Sequence, residues 1–161
     1  MKKIIIFFLM ILSITIFSEE YKPYLKKNIT NKNLVFSAQI KDSKKVISIY
    51  KENKKLIYVY GSEGEKAEKI IIGTANKNLF KNENEIPLNE NNNNKLTENF
   101  ILFKVKNYTY LISFYNNYGV KENSYTLTVA KNDEEILFDK ELDISTVYDN
   151  FFNTNLFKKL P

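Results

Sequence analysis

From Leu34 onward apolar residues recur at every second position, a period that suits half-buried strands and does not suit an amphipathic helix. Leu34, Phe36, Ala38 and Ile40 alternate with Ser37, Gln39 and Lys41, and far along the chain Tyr125, Leu127 and Val129 alternate with Thr126, Thr128 and Ala130. Val46 to Tyr50, Lys55 to Gly61, Glu68 to Gly73, Phe100 to Val105, Tyr108 to Tyr115 and Glu135 to Phe138 read as further strands. Within Lys55 to Gly61, Leu56, Tyr58 and Tyr60 oppose Ile57 and Val59. Asp42 with Ser43, Asn53, Asn107 and the Asn132-Asp133 pair mark turns, because Asn and Asp tolerate a left-handed backbone and bond their own main chain. Gly61 and Gly64 suit a longer hairpin loop. About eight strands joined mostly by hairpins predict an all-β fold, an antiparallel meander curling into a small sandwich or barrel.

Three segments depart from the period. Glu19 to Asn33 is rich in Lys and Asn, with Tyr21, Pro23, Tyr24 and Leu25 as its only apolar group, and reads as a flexible leader. Thr74 to Glu98, centred on the run Asn91 to Asn94 and carrying Pro87, reads as a long solvated insertion. Asp143 to Asn153 changes period, with Asp143 or Ser145 as N-cap and Val147, Phe151 and Phe152 on one face, which predicts a short closing helix. Leu156, Phe157 and Leu160 are apolar enough to return to the body of a single domain over 34–161.

Ahead of this domain stands a pattern of export. Met1, Lys2 and Lys3 give a positive start, Ile4 to Phe17 an apolar run broken only by Ser13 and Thr15, and Ser18 a small residue before Glu19 and Glu20. The run is shorter than the ~20 apolar residues a spanning helix needs. Cleavage after Ser18 is therefore expected, releasing the domain into the periplasm or the medium with no membrane span left. No cysteine follows the apolar run, so lipid attachment is excluded, and stability outside the cytoplasm must come from burial and strand pairing rather than disulfides. Without Lys2 and Lys3 the formal charge of +5 falls to about +3, too weak and too evenly mixed with acids to indicate nucleic acid as a partner.

The absence of His and Cys excludes a Ser-His-Asp triad, a thiol nucleophile and a His-ligated metal centre. Gly61 and Gly64 lead into Glu65, where a phosphate-cradling loop needs its lysine motif. A carboxylate pair for glycoside cleavage would draw Glu63, Glu65 or Glu68 together with Asp133 or Glu134. All sit in predicted turns or on solvated strand faces, where acids serve solubility, and no loop has calcium-binding spacing. The sequence thus assigns no catalytic residue, no metal ligand and no cofactor. Tyr108, Tyr110 and Tyr125 fall on predicted inward faces, as core aromatics and cross-strand pairs do. Tyr115 and Tyr118, in and beside the loop Asn116 to Asn123, are candidates for contact with a partner.

Phe36-Ser37-Ala38, Lys45-Val46-Ile47-Ser48-Ile49-Tyr50, Tyr58-Val59-Tyr60-Gly61, Tyr108 to Tyr115 and Leu127-Thr128-Val129 before the turn Lys131 to Glu134 follow one another in a suggestive order. The order resembles a family of small exported bacterial β-proteins that read Phe-Ser-Cys, Lys-x-Ile-x-x-Cys, Tyr-x-Phe-Gly and Tyr-x-Tyr. Ala38 and Tyr50 stand where that family has cysteines, so the resemblance implies fold and export and carries over neither a disulfide nor an activity. The expected function is that of a non-enzymatic exported binding or accessory protein meeting a protein or glycan partner, as a monomer or with weak self-association. Two alternatives are an inhibitor of a lysozyme-like hydrolase, with Ser62 and Lys66 in the glycine-bearing loop as its contact pair, and a self-associating envelope protein joined at a strand edge. The mass of the exported protein should correspond to a chain beginning near Glu19; a chain beginning at Met1 would overturn the export reading.

Overall fold

The expected hairpins form where the turn residues dictate. The structure is a computed structural model that describes residues 21–28, 33–74, 77–87, 95–117 and 122–150. Ten strands form among the described residues: β1 (Leu34–Gln39), β2 (Lys45–Glu52), β3 (Lys55–Ser62), β4 (Lys69–Thr74), β5 (Leu79–Pro87), β6 (Lys95–Val105), β7 (Tyr108–Asn117), β8 (Glu122–Lys131), β9 (Glu135–Glu141) and β10 (Tyr148–Asp149). They build two antiparallel sheets in the orders β10-β1-β2-β3-β4 and β5-β6-β7-β8-β9, so the fold is all-β. Asp42, Asn53, Asn132 and Asp133 take positive φ in their turns, as short polar side chains permit. In the β6–β7 turn it is Lys106 that does so, while the Asn107 carbonyl accepts the N–H of Asn132 at 2.7 Å.

Two strands had no signal in the apolar period. The expected insertion over 74–98 is largely a hairpin, with β5 paired to β6 from Leu79 opposite Phe103 to Pro87 opposite Lys95. Backbone pairing is indifferent to side-chain polarity, so an Asn-rich edge hairpin satisfies its ladder without the alternation that would reveal it. The run Asn91 to Asn94 lies outside the described residues. The expected helix over Asp143 to Asn153 is instead a single 3-10 turn, Ile144–Thr146, in which the Asp143 carboxylate accepts the Ser145 N–H at 3.0 Å. Val147 is extended, and Tyr148–Asp149 pair with β1 opposite Ser37 and Phe36. The open edge of β1 offered a ladder, and pairing with it outweighed one more helical turn. Residues 151–161 lie outside the described residues.

The sheets face one another across a core of Phe36, Ile47, Ile49, Leu56 and Tyr58 from the first and Ile101, Phe103, Ile112, Tyr125 and Leu127 from the second. Tilted ring pairs tie the layers: Tyr58 to Phe103 at 5.8 Å, Tyr58 to Tyr110 at 5.7 Å and Phe36 to Tyr125 at 5.9 Å between centroids. Gly73 of β4 is needed for this approach, because a Cβ there would meet the Phe103 ring at 2.8 Å.

The outer face of the first sheet is also covered, by the segment expected to trail as a leader. Tyr21 and Leu25 are buried, and Tyr21 packs with Leu34, Tyr50, Ile57 and Val59. The segment is anchored by its main chain. Tyr24 N–H donates to Ser48 Oγ, which donates back to the Tyr24 carbonyl, both at 2.8 Å, and Lys26 N–H reaches Ser37 Oγ at 3.1 Å. Glu63 accepts the Leu25 N–H at 3.1 Å, and the Tyr50 hydroxyl donates to the Lys22 carbonyl at 2.7 Å. Apolar residues on the outward faces of β2 and β3 provide the physical reason, since left in water they would forfeit the free energy of burial. The two serines supply polar anchors within that face.

Burial pushes the Tyr50 hydroxyl up to about 12. Native Tyr50 therefore holds its proton more tightly than the unfolded chain, whose tyrosines titrate near pH ~10. Its contribution to stability is complete below that pH and is lost as pH rises toward about 12. Burial shifts Tyr58 and Tyr125 in the same direction. Denaturation midpoints should fall above pH ~10, and Tyr50→Phe should reduce that fall while costing about 1 kcal/mol at neutral pH through the lost hydrogen bond.

Candidate binding cleft

The two sheets are joined at one corner and open beside it. At the end of β1, Ile40 bridges Leu142, Lys41 N–H donates to the Glu141 carbonyl at 3.0 Å, and Asp143 N–H donates to the Gln39 carbonyl at 2.8 Å. A Lys41–Glu141 ion pair lies over this junction. Asp42, with φ at 58°, then turns the chain away from β9 and into β2. Where β1 departs, a cleft opens between the sheets.

One part of it, a cavity of about 190 Å³, is lined by Tyr58, Tyr60, Lys69, Tyr110, Leu127, Val129 and Phe138. A wider part of about 410 Å³ continues past Tyr60 and Phe138, which line both, to Ile40–Ser43 and Asp139–Glu141. Tyr58 and Tyr60 share a face of β3 because strand side chains alternate, and Phe138 sits opposite Val129 on β9. Tyr58 is fully buried, whereas Tyr60, Tyr110 and Phe138 are half-buried at the walls. Burial raises the Tyr60 hydroxyl above its ordinary range, with the Glu68 carboxylate adding to the effect. Tyr60 is therefore a neutral donor at physiological pH. The walls thus offer apolar ring surface with hydroxyl edges and a lysine at the rim, a combination suited to holding an amphipathic partner.

The β9 backbone borders this cleft. Leu142 N–H donates inward to the Tyr125 carbonyl at 2.9 Å, whereas the Glu141 carbonyl faces outward to Lys41. Alternation along the strand then turns the N–H and C=O of Lys140 toward β8 and those of Asp139 away from it. Among the described residues no strand pairs with this outer edge between Ile136 and Lys140.

A third cavity, lined in part by Lys81, Asn99, Phe114, Tyr125 and Asp149, has about 20 Å³, enough for one water and too little for a ligand. The Tyr125 hydroxyl donates to Asp149 there at 2.9 Å.

The candidate contacts expected from sequence fall elsewhere and apart. Ser62 ends β3, half-buried, and accepts a hydrogen bond from Lys45 Nζ at 3.2 Å, while Lys66 is exposed in the following loop. Tyr115 lies on β7, half-buried, with its hydroxyl donating to Glu98 at 2.9 Å. Tyr118 lies outside the described residues. Three of the five acids weighed for glycoside cleavage are engaged structurally: Glu63 holds the amino-terminal segment, Glu68 pairs with Lys45, and Asp133 pairs with Lys104 and accepts from Thr109, while Glu65 and Glu134 are exposed. Among the described residues no three His, Cys, Asp or Glu side chains cluster as a metal site would require. No described helix is long and apolar enough to cross a membrane. Sequence reasoning placed Tyr110 inward, and the structure packs it against the core while leaving it on the cleft wall. The two-residue spacing of Tyr58 and Tyr60 was the available signal for the site. It carries no information about which ring meets the opening.

Comparison with known protein families, with curated proteins and with solved structures finds no match. Amide exchange tests the edge geometry directly. Lys140 and Leu142 should exchange slowly and Asp139 roughly tenfold faster or more; equal protection at Asp139 would mean that the edge is covered.

Proposed function

We propose that this chain is an exported, non-enzymatic binding or accessory protein whose protein or glycan partner occupies the cleft between the two sheets. The observation that carries the reading is the set of partly exposed rings of Tyr60, Tyr110 and Phe138 around an opening held by rigid strands. Aromatic side chains on a fixed scaffold lose little conformational freedom when they meet a partner, so their area converts efficiently into affinity. The lack of His and Cys and the structural engagement of Glu63, Glu68 and Asp133 support a role without bond-breaking chemistry. Export rests on the residues Met1 to Ser18, and delivery outside the cytoplasm accords with a domain that needs no disulfide.

Site-specific crosslinking in the producing cells tests the placement. A photoreactive phenylalanine derivative at position 60 should give a discrete adduct, and the same group at positions 66 and 115 should give none. Adducts from position 66 alone would move the contact to the glycine-bearing loop and favour the inhibitor reading, and adducts from 115 alone would move it to the outer face of the second sheet.

A further inference from the structure

The cleft has a feature that distinguishes among partners, namely the outer edge of β9, with which no described strand pairs between Ile136 and Lys140. Edge strands are normally blunted, because their unpaired backbone groups invite other chains. The edge of β4 is treated in this way: the Asn78 side chain accepts the Thr74 N–H at 2.8 Å and donates to the Ile72 carbonyl at 3.1 Å, imitating a neighbouring strand. A bulge at Leu137 interrupts the β8 ladder, but among the described residues no side chain imitates a neighbouring strand along β9 from Phe138 to Lys140, and the junction with β1 shows that this edge accepts a strand.

Two further properties of β9 point to an occupant. Ile136 is 65% and Leu137 49% exposed, and with Ile144 they make up three of the four large hydrophobic residues exposed among the described residues. Water-exposed branched side chains concentrated on an unpaired edge are what a partner strand would cover. The charge of the region is also opposite to that of the chain. Residues 133–143 include Asp133, Glu134, Glu135, Asp139, Glu141 and Asp143 against Lys140 alone, in a chain of formal charge +5. Glu141 is taken by Lys41, Asp133 by Lys104, and Asp143 by the Ser145 turn, while Asp139 accepts the Thr128 hydroxyl at 2.7 Å; Glu134, Glu135 and Asp139 have no cation among the described residues. A second copy of β9 would bring these carboxylates against one another, whereas a cationic strand would neutralise them.

We infer that β9 receives an extended, lysine- or arginine-bearing polypeptide segment as an added antiparallel or parallel strand, continuing the ladder from the point where β1 leaves it at Asp42. Backbone groups of the segment pair with the N–H and C=O of Asp139. Alternate side chains on one face reach the rings of Tyr60 and Phe138, and basic side chains meet Glu135 and Asp139. The inference rests on the reading of the cleft as a binding site and specifies the partner as a polypeptide rather than a glycan.

The test uses a synthetic heptapeptide of alternating Lys and apolar residues with one central Tyr, its analogue N-methylated at the amides of one edge, and its analogue with Glu in place of Lys. Titrated into isotopically labelled protein, the first peptide should shift the amide resonances of Ile136 to Glu141 and slow exchange at Asp139. The N-methylated and Glu peptides should each bind at least tenfold more weakly. Asp139→Pro removes the outward-facing N–H together with the carboxylate and should abolish binding with the fold retained by circular dichroism, whereas Asp139→Asn, which keeps the N–H, should only weaken binding several-fold and flatten its salt dependence. Equal binding of the N-methylated peptide, preference for the Glu peptide, or no shifts at millimolar peptide would overturn the inference. Concentration-dependent dimerisation that protects Asp139 without peptide would overturn it in favour of a second copy. The adduct from position 60 is independent of all these results, so a glycan or globular partner in the cleft would still register there.

Discussion

The contact of two sheets through a few aromatic rings is the constraint from which the rest of the molecule follows. With no cysteine available, the chain has no covalent staple, and the rings of Phe36, Tyr58, Phe103 and Tyr125 are the largest side chains of the core between the layers. Each such ring buries on the order of 150–250 Å². Close approach then requires Gly73 where Phe103 lies against β4, and it forces the tyrosine hydroxyls to find partners or remain protonated in an apolar setting. Tyr125 meets Asp149 on β10, so the inter-sheet core also helps to seat the last described strand.

The first sheet is buried on both faces, which explains why β2 and β3 are apolar on both sides rather than in clean alternation. The amino-terminal segment provides the second cover, attached by main-chain hydrogen bonds to Ser37, Ser48 and Glu63 together with the buried side chains of Tyr21 and Leu25. Closure of the two sheets into a barrel stops at Ile40 and Leu142, because the left-handed residue Asp42 carries β1 away from β9. The cleft and, among the described residues, the unpaired edge of β9 are two consequences of that single departure.

Most strands were legible because each carries its own evidence: side chains that face a core alternate, and Asn or Asp marks the turns between them. The inward positions of Tyr108, Tyr110 and Tyr125 were assigned on that basis, and Tyr110 and Tyr125 belong to the core or pack against it. The hairpin of β5 was hidden because polar residues can occupy a ladder without recording it in their pattern. The segment from Tyr21 was hidden because its few apolar residues, Tyr21, Pro23 and Leu25, follow neither helical nor strand spacing. They dock as separate points on an existing surface. Tyr148 and Asp149 pair with β1 only because that strand has an open edge beside them. Of the expected contact residues, Ser62 was recognised as a loop neighbour of Lys66, but its bond to Lys45 comes from a strand 17 residues earlier.

By itself, then, the sequence determined the local quantities: the all-β class, the β-hairpins of the body, the inward face of each clear strand, and the absence of thiol and imidazole side chains. Tertiary structure decided what depends on distant residues meeting. It brought Tyr58 and Tyr60 of β3 against Tyr110 and Phe138 of the other sheet, folded the segment from Tyr21 over Ser48, and left the edge of β9 without a partner strand among the described residues where β1 turns away. The physical reason is that periodicity reports which face of an element avoids water, whereas a cleft depends on where two such faces cease to meet, and no single element encodes that boundary.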